Sequence, residues 1–300
     1  MQIAGINVAA VTPHRHGREI DLAGSLDLIE YLCDAGVKGI ALLGSTGEFL
    51  RFRFTDRVRL LNMAVKRSRV PIIAGVADAA FDGTLELARA AIDCGAAALL
   101  VMPPYFFPYT QAQVKEYFLR LSAEINGAIP VFLYNIPFFT TRIDVETSLA
   151  LLETGQFAGI KDSSGSFEAF ERFKALRERV PITLLVGNDI VFTRARRAGA
   201  DGVVSGCACA VPELMLGLDC AIRENAEERI TRLEQMLKEF IGWLDRFPVP
   251  VGVKEATMAR GLKVGPPAVP LPTDEERVLA EFREWFSGFL KTVKQEVSRA

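Results

Sequence analysis

The amino-acid sequence predicts a closed (β/α)8 barrel, the TIM-barrel fold, and three observations point to it. Eight short apolar runs recur along the 300 residues, and segments with a helical pattern separate them. Each run is continuously hydrophobic, as expected for parallel strands that are covered on both faces. No G-x-G-x-x-G motif follows the first run, which argues against the competing open, doubly wound sheet. The predicted strands are 6–11, 39–43, 71–76, 97–102, 129–134, 157–161, 183–186 and 202–205.

Between the predicted strands, apolar residues recur at the spacing of a helix face. Val114, Phe118, Leu121 and Ile125 are separated by four, three and four positions, which places them on one side of a helix. Glycine follows several of these segments, and Gly36 is one example. A glycine is expected at such positions because it caps the C-terminus of a helix. Helices of this kind would cover the outside of the barrel.

The sequence after the eighth strand–helix unit, which ends near residue 224, is helical in pattern. We therefore predict a catalytic barrel over residues 1–225 and a helical appendage over residues 226–300. A proline-rich bend at 266–272 divides the appendage into two amphipathic segments. Their apolar positions are Ile230, Leu233, Leu237, Phe240 and Leu244, then Leu279, Phe282, Phe286 and Phe289.

Composition and charge exclude several classes of function. The charges nearly cancel, with 35 basic and 37 acidic residues and no long run of one sign. This balance argues against nucleic-acid binding and against a membrane-surface patch. The first residues do not show the pattern of a secretory signal, and no apolar stretch is long enough to cross a bilayer. Five scattered cysteines fit a reduced chain, so we predict a cytoplasmic protein.

Two features that could suggest metal or histidine chemistry carry little weight. Cys207 and Cys209 lie on an apolar segment without a second ligand pair, whereas a zinc site needs about four well-spaced ligands. The two histidines, His14 and His16, lie in an early polar loop that we expect to be solvated. We therefore predict neither a metal site nor a histidine-dependent catalytic triad.

Lys161 has little structural reason for its position. It ends the apolar run 157–161 and is followed by the polar residues 162–165, so it lies at the C-terminal end of a predicted buried strand. A lysine there is either paired with a carboxylate or partly desolvated, and desolvation lowers the pKa of an amine. An amine of that kind can attack a ketone and form a Schiff base.

Other polar groups are predicted to collect near Lys161, because the loops after the strands of a barrel share one face. The loop 44–48 (Gly-Ser-Thr-Gly-Glu) can direct backbone N–H groups and two hydroxyls at a carboxylate. Tyr134 ends the fifth strand and could carry a proton between Lys161 and a substrate. Each feature also has an ordinary alternative: a simple turn, a packed tyrosine, a local ion pair between Lys161 and Asp162, or a Glu48 that bonds loop amides or a basic residue.

Five motifs together resemble the dihydrodipicolinate synthase / N-acetylneuraminate lyase family of class I aldolases, and the resemblance covers nearly the whole chain. They are 44–48, Pro104-Tyr105, 134–137 (Tyr-Asn-Ile-Pro), 159–162 (Gly-Ile-Lys-Asp) and 202–205 (Gly-Val-Val-Ser). The resemblance implies that Lys161 forms a Schiff base with pyruvate or another 2-oxo acid. It also implies that Tyr134 relays protons.

The same resemblance assigns roles to further positions. Ser45 and Thr46 would bind the substrate carboxylate and pass protons, and Val204 would line the pyruvate pocket. Tyr105 matches a tyrosine that reaches into the site of a neighbouring subunit in the synthases. The implied assembly is a homotetramer built from two dimers, and no metal or organic cofactor is implied. The candidate catalytic residues are thus Lys161, Tyr134, Thr46 and Tyr105, and the candidate substrate-binding residues are Ser45, Thr46, Gly44 and Val204.

Two departures from the synthase pattern concern the substrate. The synthases usually carry an arginine after Tyr-Asn-x-Pro that binds the carboxylate of the second substrate, and Phe139 takes that place here. A phenyl ring cannot make the bidentate contact that arginine makes with a carboxylate. The synthases typically read Lys-Glu-Ala-Thr-Gly, whereas residues 161–165 read Lys-Asp-Ser-Ser-Gly. That segment is more similar to 2-keto-3-deoxy sugar acid or 4-hydroxy-2-oxoglutarate aldolases.

The sequence therefore predicts a lyase that joins or splits a 2-oxo acid and an aldehyde, or a related dehydratase. We place a 2-keto-3-deoxy sugar acid or 4-hydroxy-2-oxo acid aldolase first and 4-hydroxy-tetrahydrodipicolinate synthase second. A phosphate- or flavin-binding barrel is a further alternative, because residues 199–206 resemble a phosphate loop, but it leaves Lys161 unused. The sequence does not exclude a non-catalytic sensor of 2-oxo acids. Phe138 and Phe139 indicate either an apolar aldehyde side or an interface.

Overall fold

The apolar runs form the eight strands of a closed parallel barrel in the computed structural model, which describes residues 3–15 and 19–298. Consecutive strands pair in parallel, and β1 also pairs with β8, so the sheet closes on itself. The predicted fold class is confirmed. The strands are β1 Gly5–Ala9, β2 Gly39–Leu42, β3 Ile72–Gly75, β4 Ala98–Val101, β5 Val131–Asn135, β6 Gly159–Asp162, β7 Thr183–Val186 and β8 Gly202–Ser205.

Helices alternate with the strands and cover the barrel. Short 3-10 turns at Phe49–Arg51 and Asp189–Val191 precede two of them. The helices are α1 Leu22–Ala35, α2 Phe54–Arg67, α3 Phe81–Asp93, α4 Gln111–Ile125, α5 Val145–Leu152, α6 Phe167–Leu176, α7 Phe192–Arg197, α8 Cys207–Ala210, α9 Pro212–Glu224, α10 Glu227–Leu244, α11 Val251–Met258 and α12 Thr273–Val297.

Local sequence signals explain where these helices begin and end. In α4, Thr110 and Gln113 form a capping box that satisfies free amides of the first turn. The four apolar positions predicted for that helix are all buried. Gly36 ends α1 in the left-handed conformation (φ 87°), which glycine adopts without steric cost. The helical period predicted from the sequence therefore marks the faces that pack on the barrel.

Helices α10, α11 and α12 follow the eighth strand–helix unit. Helix α10 packs on α9, and α11 packs on α8 and α12. The sequence predicted two helical segments here and missed α11. Most residues of α11 are buried, including Lys254 and Glu255, so its sequence lacks an amphipathic pattern. The division into a barrel (1–225) and an appendage (226–300) stays a prediction.

The early loop differs from the sequence-based expectation. We expected a solvated loop, which is wrong for His14: its side chain is buried and its ring meets the ring of Phe52 edge-on at 5.8 Å. The neighbouring backbone at Thr12 and Pro13 is also hydrogen-bonded within the protein. The carbonyl of Pro13 accepts a hydrogen bond from the backbone N–H of Asp21. His16 lies outside the described residues.

The structure also describes membrane-spanning potential and the state of the cysteines. Along residues 3–15 and 19–298, no helix is both long and apolar enough to span a bilayer. The five cysteines, at 33, 94, 207, 209 and 220, are all free thiols. Burial raises the pKa of the Cys209 thiol to about 11, which keeps it protonated and unreactive at neutral pH.

Candidate active site

Lys161 and Tyr134 are neighbours because of the register between β5 and β6. The two residues pair directly across these strands, so their side chains leave the sheet at the same level. Lys161 is 3% exposed, and its Nζ lies 3.9 Å from the centre of the Tyr134 ring. The strand register therefore holds an amine against a phenol at the C-terminal ends of the strands.

The alternative of an ion pair between Lys161 and Asp162 is not found in the described structure, because other groups use the carboxylate of Asp162. It accepts hydrogen bonds from the side-chain amide of Asn135 at 2.7 Å and from the hydroxyl of Ser164 at 2.6 Å. Burial raises the pKa of Asp162, while these hydrogen bonds act in the opposite direction. The amine of Lys161 is thus left to face the interior of the barrel mouth.

The space around Lys161 is tightly defined. A Cβ atom built on Gly187, at the end of β7, would lie 2.8 Å from Lys161 Cε and would overlap the hydroxyl of Ser163. A side chain at position 187 would therefore force the side chains of Ser163 and Lys161 to move. The buried Ser163 hydroxyl has no hydrogen-bond partner in the described part of the chain, which leaves it available to a ligand.

The loop 44–48 faces Lys161 from the end of β2. The Ser45 hydroxyl lies 3.1 Å from the Tyr134 hydroxyl, within hydrogen-bond distance. The carbonyl of Gly47 accepts a hydrogen bond from the Thr12 hydroxyl at 2.8 Å. A Cβ atom on Gly47 would meet backbone atoms at 3.1–3.2 Å, so glycine lets the loop lie against β1. The loop is therefore anchored with the Ser45 hydroxyl directed at the phenol.

An ion pair behind this loop was not identified from the sequence. Lys254 of α11 is 2% exposed, and its Nζ lies 2.8 Å from a carboxylate oxygen of Glu48. The same amine donates to the carbonyl of Pro266 at 2.7 Å, and Arg51 lies 3.4 Å from the other Glu48 oxygen. Of the alternatives weighed for Glu48, pairing with a basic residue is the one found.

The ion pair with Lys254 involves a residue, Glu48, whose backbone conformation is strained. Glu48 has a left-handed backbone (φ 48°), which is uncommon for a residue other than glycine. Burial lowers the pKa of Lys254, and the charge and hydrogen bond of Glu48 counteract that effect. The two side chains therefore neutralise each other in a dry environment and hold the end of the substrate-facing loop.

The predicted residues line a cavity of about 560 Å³ at the barrel mouth. Its lining includes Ser45, Thr46, Tyr134, Lys161 and Val204. The opposite side is formed by 136–139, where Phe138 and Phe139 indicated either an apolar aldehyde side or an interface, by 187–190 after β7, and by 241–253, which the sequence analysis did not assign to the site. The helical region after α9 thus helps to enclose the cavity, which no local pattern in the sequence indicates.

Two predicted residues lie apart from this cavity within one chain. Gly44 is buried in the same loop, behind the lining residues. Tyr105 lies in an adjacent cavity of about 440 Å³ that shares Ser45 with the first, and its ring meets Phe49 edge-on at 5.6 Å. Burial raises the pKa of Tyr105, and the nearby charge of Asp78 acts in the same direction. The structure therefore brings together five of the predicted positions and separates Tyr105 from Lys161.

This fold and site agree with a known protein family. The model of the dihydrodipicolinate synthetase family matches residues 2–285. The chain belongs to that family. It is 31% identical over 282 residues to an uncharacterized DapA-like lyase of Halobacterium salinarum, covering 92% of this chain and 91% of that protein. It is 30% identical over 277 residues to a 4-hydroxy-tetrahydrodipicolinate synthase of Alkaliphilus oremlandii, covering 91% and 93%.

A solved structure of a related protein has the same fold. A crystal structure of a dihydrodipicolinate synthase of Acinetobacter baumannii, complexed with pyruvate, superposes with a TM-score of 0.85. The two chains are 26% identical, and the match covers 98% of this chain and 99% of the other. This member of the dihydrodipicolinate synthetase family is therefore a lyase, as its motifs predicted.

The cysteines near the site of this lyase do not form a metal centre. Cys207 lines the cavity, and its backbone N–H donates to the carboxylate of Asp189 at 3.2 Å. Cys209 is buried and bonds weakly with Thr257. No group of three or more histidine, cysteine or acidic side chains that could hold a metal ion occurs among the described residues.

His14 makes the stability of this lyase sensitive to mild acid. Burial lowers the pKa of His14 from 6.5, and the charges of Lys254 and Arg51 act in the same direction. The unfolded chain therefore binds this proton at a higher pH than the folded chain. We expect the free energy of unfolding to fall as the pH drops below about 6.5, by up to about 1.4 kcal/mol per pH unit for this group.

The contribution of His14 can be separated from that of the carboxylates by comparing variants. We expect His14→Gln to show a smaller loss of stability than the wild type between pH 7 and pH 5, in urea unfolding at several pH values. Carboxylate titration is common to both proteins and cancels in the comparison. Identical pH profiles would contradict the prediction.

Proposed function

We propose that the protein is a class I aldolase that activates pyruvate, or a related 2-oxo acid, as a Schiff base on Lys161. The observation that carries this proposal is the buried amine held 3.9 Å from the centre of the Tyr134 ring, with no ion pair to the adjacent Asp162. A largely desolvated lysine beside a proton-transfer group is suited to nucleophilic attack on a carbonyl. The loop 44–48 supplies hydroxyl donors for the carboxylate of the same substrate.

The first half of the reaction forms an imine. The nitrogen of Lys161 attacks the C2 carbonyl of the 2-oxo acid, and the carbonyl oxygen leaves as water after taking up protons. The contact between the hydroxyls of Tyr134 and Ser45 provides a path for those protons. Loss of a proton from C3 then gives a neutral enamine, because the protonated imine nitrogen accepts the electron pair of the broken C–H bond.

The second half forms or breaks a carbon–carbon bond. The enamine carbon C3 attacks the aldehyde carbon, and the aldehyde oxygen takes up a proton to become the hydroxyl on C4. Water then hydrolyses the imine and releases the 4-hydroxy-2-oxo acid together with free Lys161. The same steps in reverse cleave such an acid. None of these steps requires a metal or an organic cofactor.

The synthase reaction is the second candidate, and the name of the Alkaliphilus oremlandii relative supports it. Against it stands Phe139, which replaces the arginine expected for the carboxylate of the second substrate. Arg142 does not take over that role, because its guanidinium is exposed and pairs with Asp144 at 2.9 Å. We therefore place the 4-hydroxy-2-oxo acid aldolase first. A phosphate- or flavin-binding barrel has no comparable support, since it gives Lys161 no role.

Trapping with borohydride tests the proposal. Incubation with pyruvate and sodium borohydride should reduce the imine and attach the carbon skeleton of pyruvate permanently to Lys161. Mass spectrometry of the peptides would locate the adduct, and borohydride without pyruvate is the control. If neither pyruvate nor any other 2-oxo acid is trapped on a lysine, the proposed function is wrong.

We also propose that the lyase is a homo-oligomer, a dimer of dimers, as the family resemblance implies. Phe106 and Phe107 follow Tyr105 and are 87% and 64% exposed, with their rings in edge-on contact at 4.9 Å. Exposed aromatic rings of this kind mark surfaces that another protein covers. Sedimentation velocity would show a monomer if the proposal is wrong. A cytoplasmic location stays a prediction from the sequence.

A further inference from the structure

We infer that the aldehyde used by this lyase is uncharged and carries an apolar substituent, either aromatic or branched aliphatic. The inference rests on the proposed function, because it names the second substrate of the same cavity. Three features of the described residues carry it: the apolar side of the cavity, the distribution of charge around it, and the size of the space beyond Lys161.

The cavity has a polar part and an apolar part that come from different segments. Polar groups come from the loop 44–48 and from the ends of β6 and β7, next to Lys161. The segments 136–139 and 241–253 contribute almost only apolar side chains, with Asp245 as the exception among the described lining residues. The apolar lining residues from these segments and from the 3-10 turn are Ile136, Phe138, Phe139, Ile190, Ile241, Leu244, Phe247, Pro248, Val249, Pro250 and Val253.

Several of these apolar side chains lie exposed to water in the single chain. Phe138 is 70% exposed, Phe139 is 55% exposed and Val249 is 63% exposed. Covering such groups with the apolar part of a ligand releases ordered water and favours binding. A chain of sugar hydroxyls would instead leave its donors without partners along this side of the cavity, which opposes binding. This side of the cavity therefore favours an apolar substituent over a polyhydroxylated one. The Ser163 hydroxyl and the Asp189 carboxylate oxygen, which lack partners in the described structure, belong to the polar part of the cavity.

The charges around the cavity disfavour an anionic aldehyde. Lys161 is the sole basic residue among the described residues that line it, and imine formation uses that amine. The acidic lining residues are Asp189 and Asp245. One carboxylate oxygen of Asp189 is buried without a hydrogen-bond partner in the described structure, so its negative charge is poorly compensated. A carboxylate or phosphate on the aldehyde would meet these two like charges without a compensating arginine or lysine.

The available space fits a substituent of appreciable size. The cavity of about 560 Å³ lies within the range of about 300–1,000 Å³ that is usual for sites of small molecules. A three-carbon 2-oxo acid on Lys161 occupies only the polar end. The remaining volume adjoins the apolar segments and is large enough for a ring or a branched chain.

The first test compares aldehydes with the wild-type enzyme. The panel contains benzaldehyde and 2-methylpropanal as apolar substrates, glyceraldehyde as a polyhydroxylated one, glyoxylate and succinic semialdehyde as anions, and 3-aminopropanal as a cation. Consumption of pyruvate, measured with lactate dehydrogenase, gives kcat/KM for each. We expect the apolar aldehydes to exceed all the others by about tenfold or more. A preference for glyceraldehyde or for either kind of charged aldehyde would overturn the inference.

The second test introduces a positive charge on the apolar side of the cavity. Phe139→Arg should lower the ratio of kcat/KM for benzaldehyde to that for succinic semialdehyde by about tenfold or more, because it adds a partner for the carboxylate. Val269→Arg is the matched control: Val269 is 71% exposed and lies outside the lining of the cavity, so the ratio should not change. An unchanged ratio in Phe139→Arg would contradict the inference.

Borohydride trapping separates this inference from the proposed function. Val269 is exposed and lies outside the lining of the cavity, so Val269→Arg should fold normally and trap pyruvate on Lys161 as the wild type does. Trapping without a preference for apolar aldehydes would refute the inference and leave the aldolase mechanism in place. Failure to trap any 2-oxo acid would refute the mechanism itself.

Discussion

Lys161→Ala should lower kcat by roughly four orders of magnitude or more for aldol cleavage and synthesis alike, because it removes the nucleophile of a covalent mechanism. The loss should not be recovered at high substrate concentration, since the covalent step and not substrate binding is abolished. Lys161→Arg should be equally inactive, because a guanidinium stays protonated at neutral pH. Release of pyruvate, measured with lactate dehydrogenase, provides the assay.

The fold should tolerate the loss of Lys161. No ion pair with Asp162 is broken, and removal of a buried polar amine offsets part of the cost of the space it leaves. We therefore expect a change in stability of about 1 kcal/mol, which shifts the melting temperature by only a few degrees. Lys291→Ala, on the exposed face of α12, is the control and should retain full activity. Substantial turnover by Lys161→Ala would contradict the mechanism.

Lys254→Met should have the largest effect on stability. Lys254 and Glu48 form a buried ion pair with side chains that are 2% and 6% exposed. Removing the lysine leaves the buried Glu48 carboxylate with only its longer 3.4 Å contact to Arg51. Breaking a buried ion pair typically costs about 3–5 kcal/mol, and the contact to Arg51 places the expected loss at the lower end, about 3 kcal/mol. Urea unfolding should show a lower midpoint with an unchanged slope, since the surface exposed on unfolding stays the same. A rise in KM for pyruvate should accompany it, because Glu48 anchors the loop 44–48.

A surface ion pair provides the matched control for Lys254. Lys238 pairs with Glu234 at 2.9 Å on α10, and its side chain is 53% exposed. Lys238→Met should cost less than about 1 kcal/mol, because water screens such a pair. The double variant Lys254→Met/Glu48→Gln should recover part of the stability by removing the buried charge that has lost its closer partner. If Lys254→Met and Lys238→Met lowered the free energy of unfolding by the same amount, the buried ion pair would contribute no more to stability than the surface pair.

The strands and the central pair of the site could be predicted because each depends on local sequence. A continuous apolar run indicates a covered parallel strand, and each of the eight predicted runs overlaps one observed strand, with differences of one or two residues at the ends. Lys161 and Tyr134 each end such a run, and consecutive strands of a barrel are neighbours. Their proximity therefore follows from the order of the strands. The family motifs indicated the same residues, and the family itself is confirmed.

Other parts of the site could not be predicted because they depend on packing between distant segments. The buried position of His14 contradicts the polar sequence around it, since the ring is covered by Phe52 and lies near Lys254. Helix α11 carries no helical period because it is buried on most sides. The apolar side of the cavity comes from 241–253, a segment that appears in sequence to be ordinary helix and turn.

The sequence by itself determined the barrel, the chemical type of the central residues and the absence of an arginine at position 139, because short-range periodicity and residue identity encode these features. Only the tertiary structure decided what holds and encloses the site. Glu48 and Lys254 are 206 residues apart in sequence, and α11, which carries Lys254, packs on α8 and α12. Whether two charges form a strong pair depends on the distance between them and on how far water is excluded. Local sequence determines neither quantity.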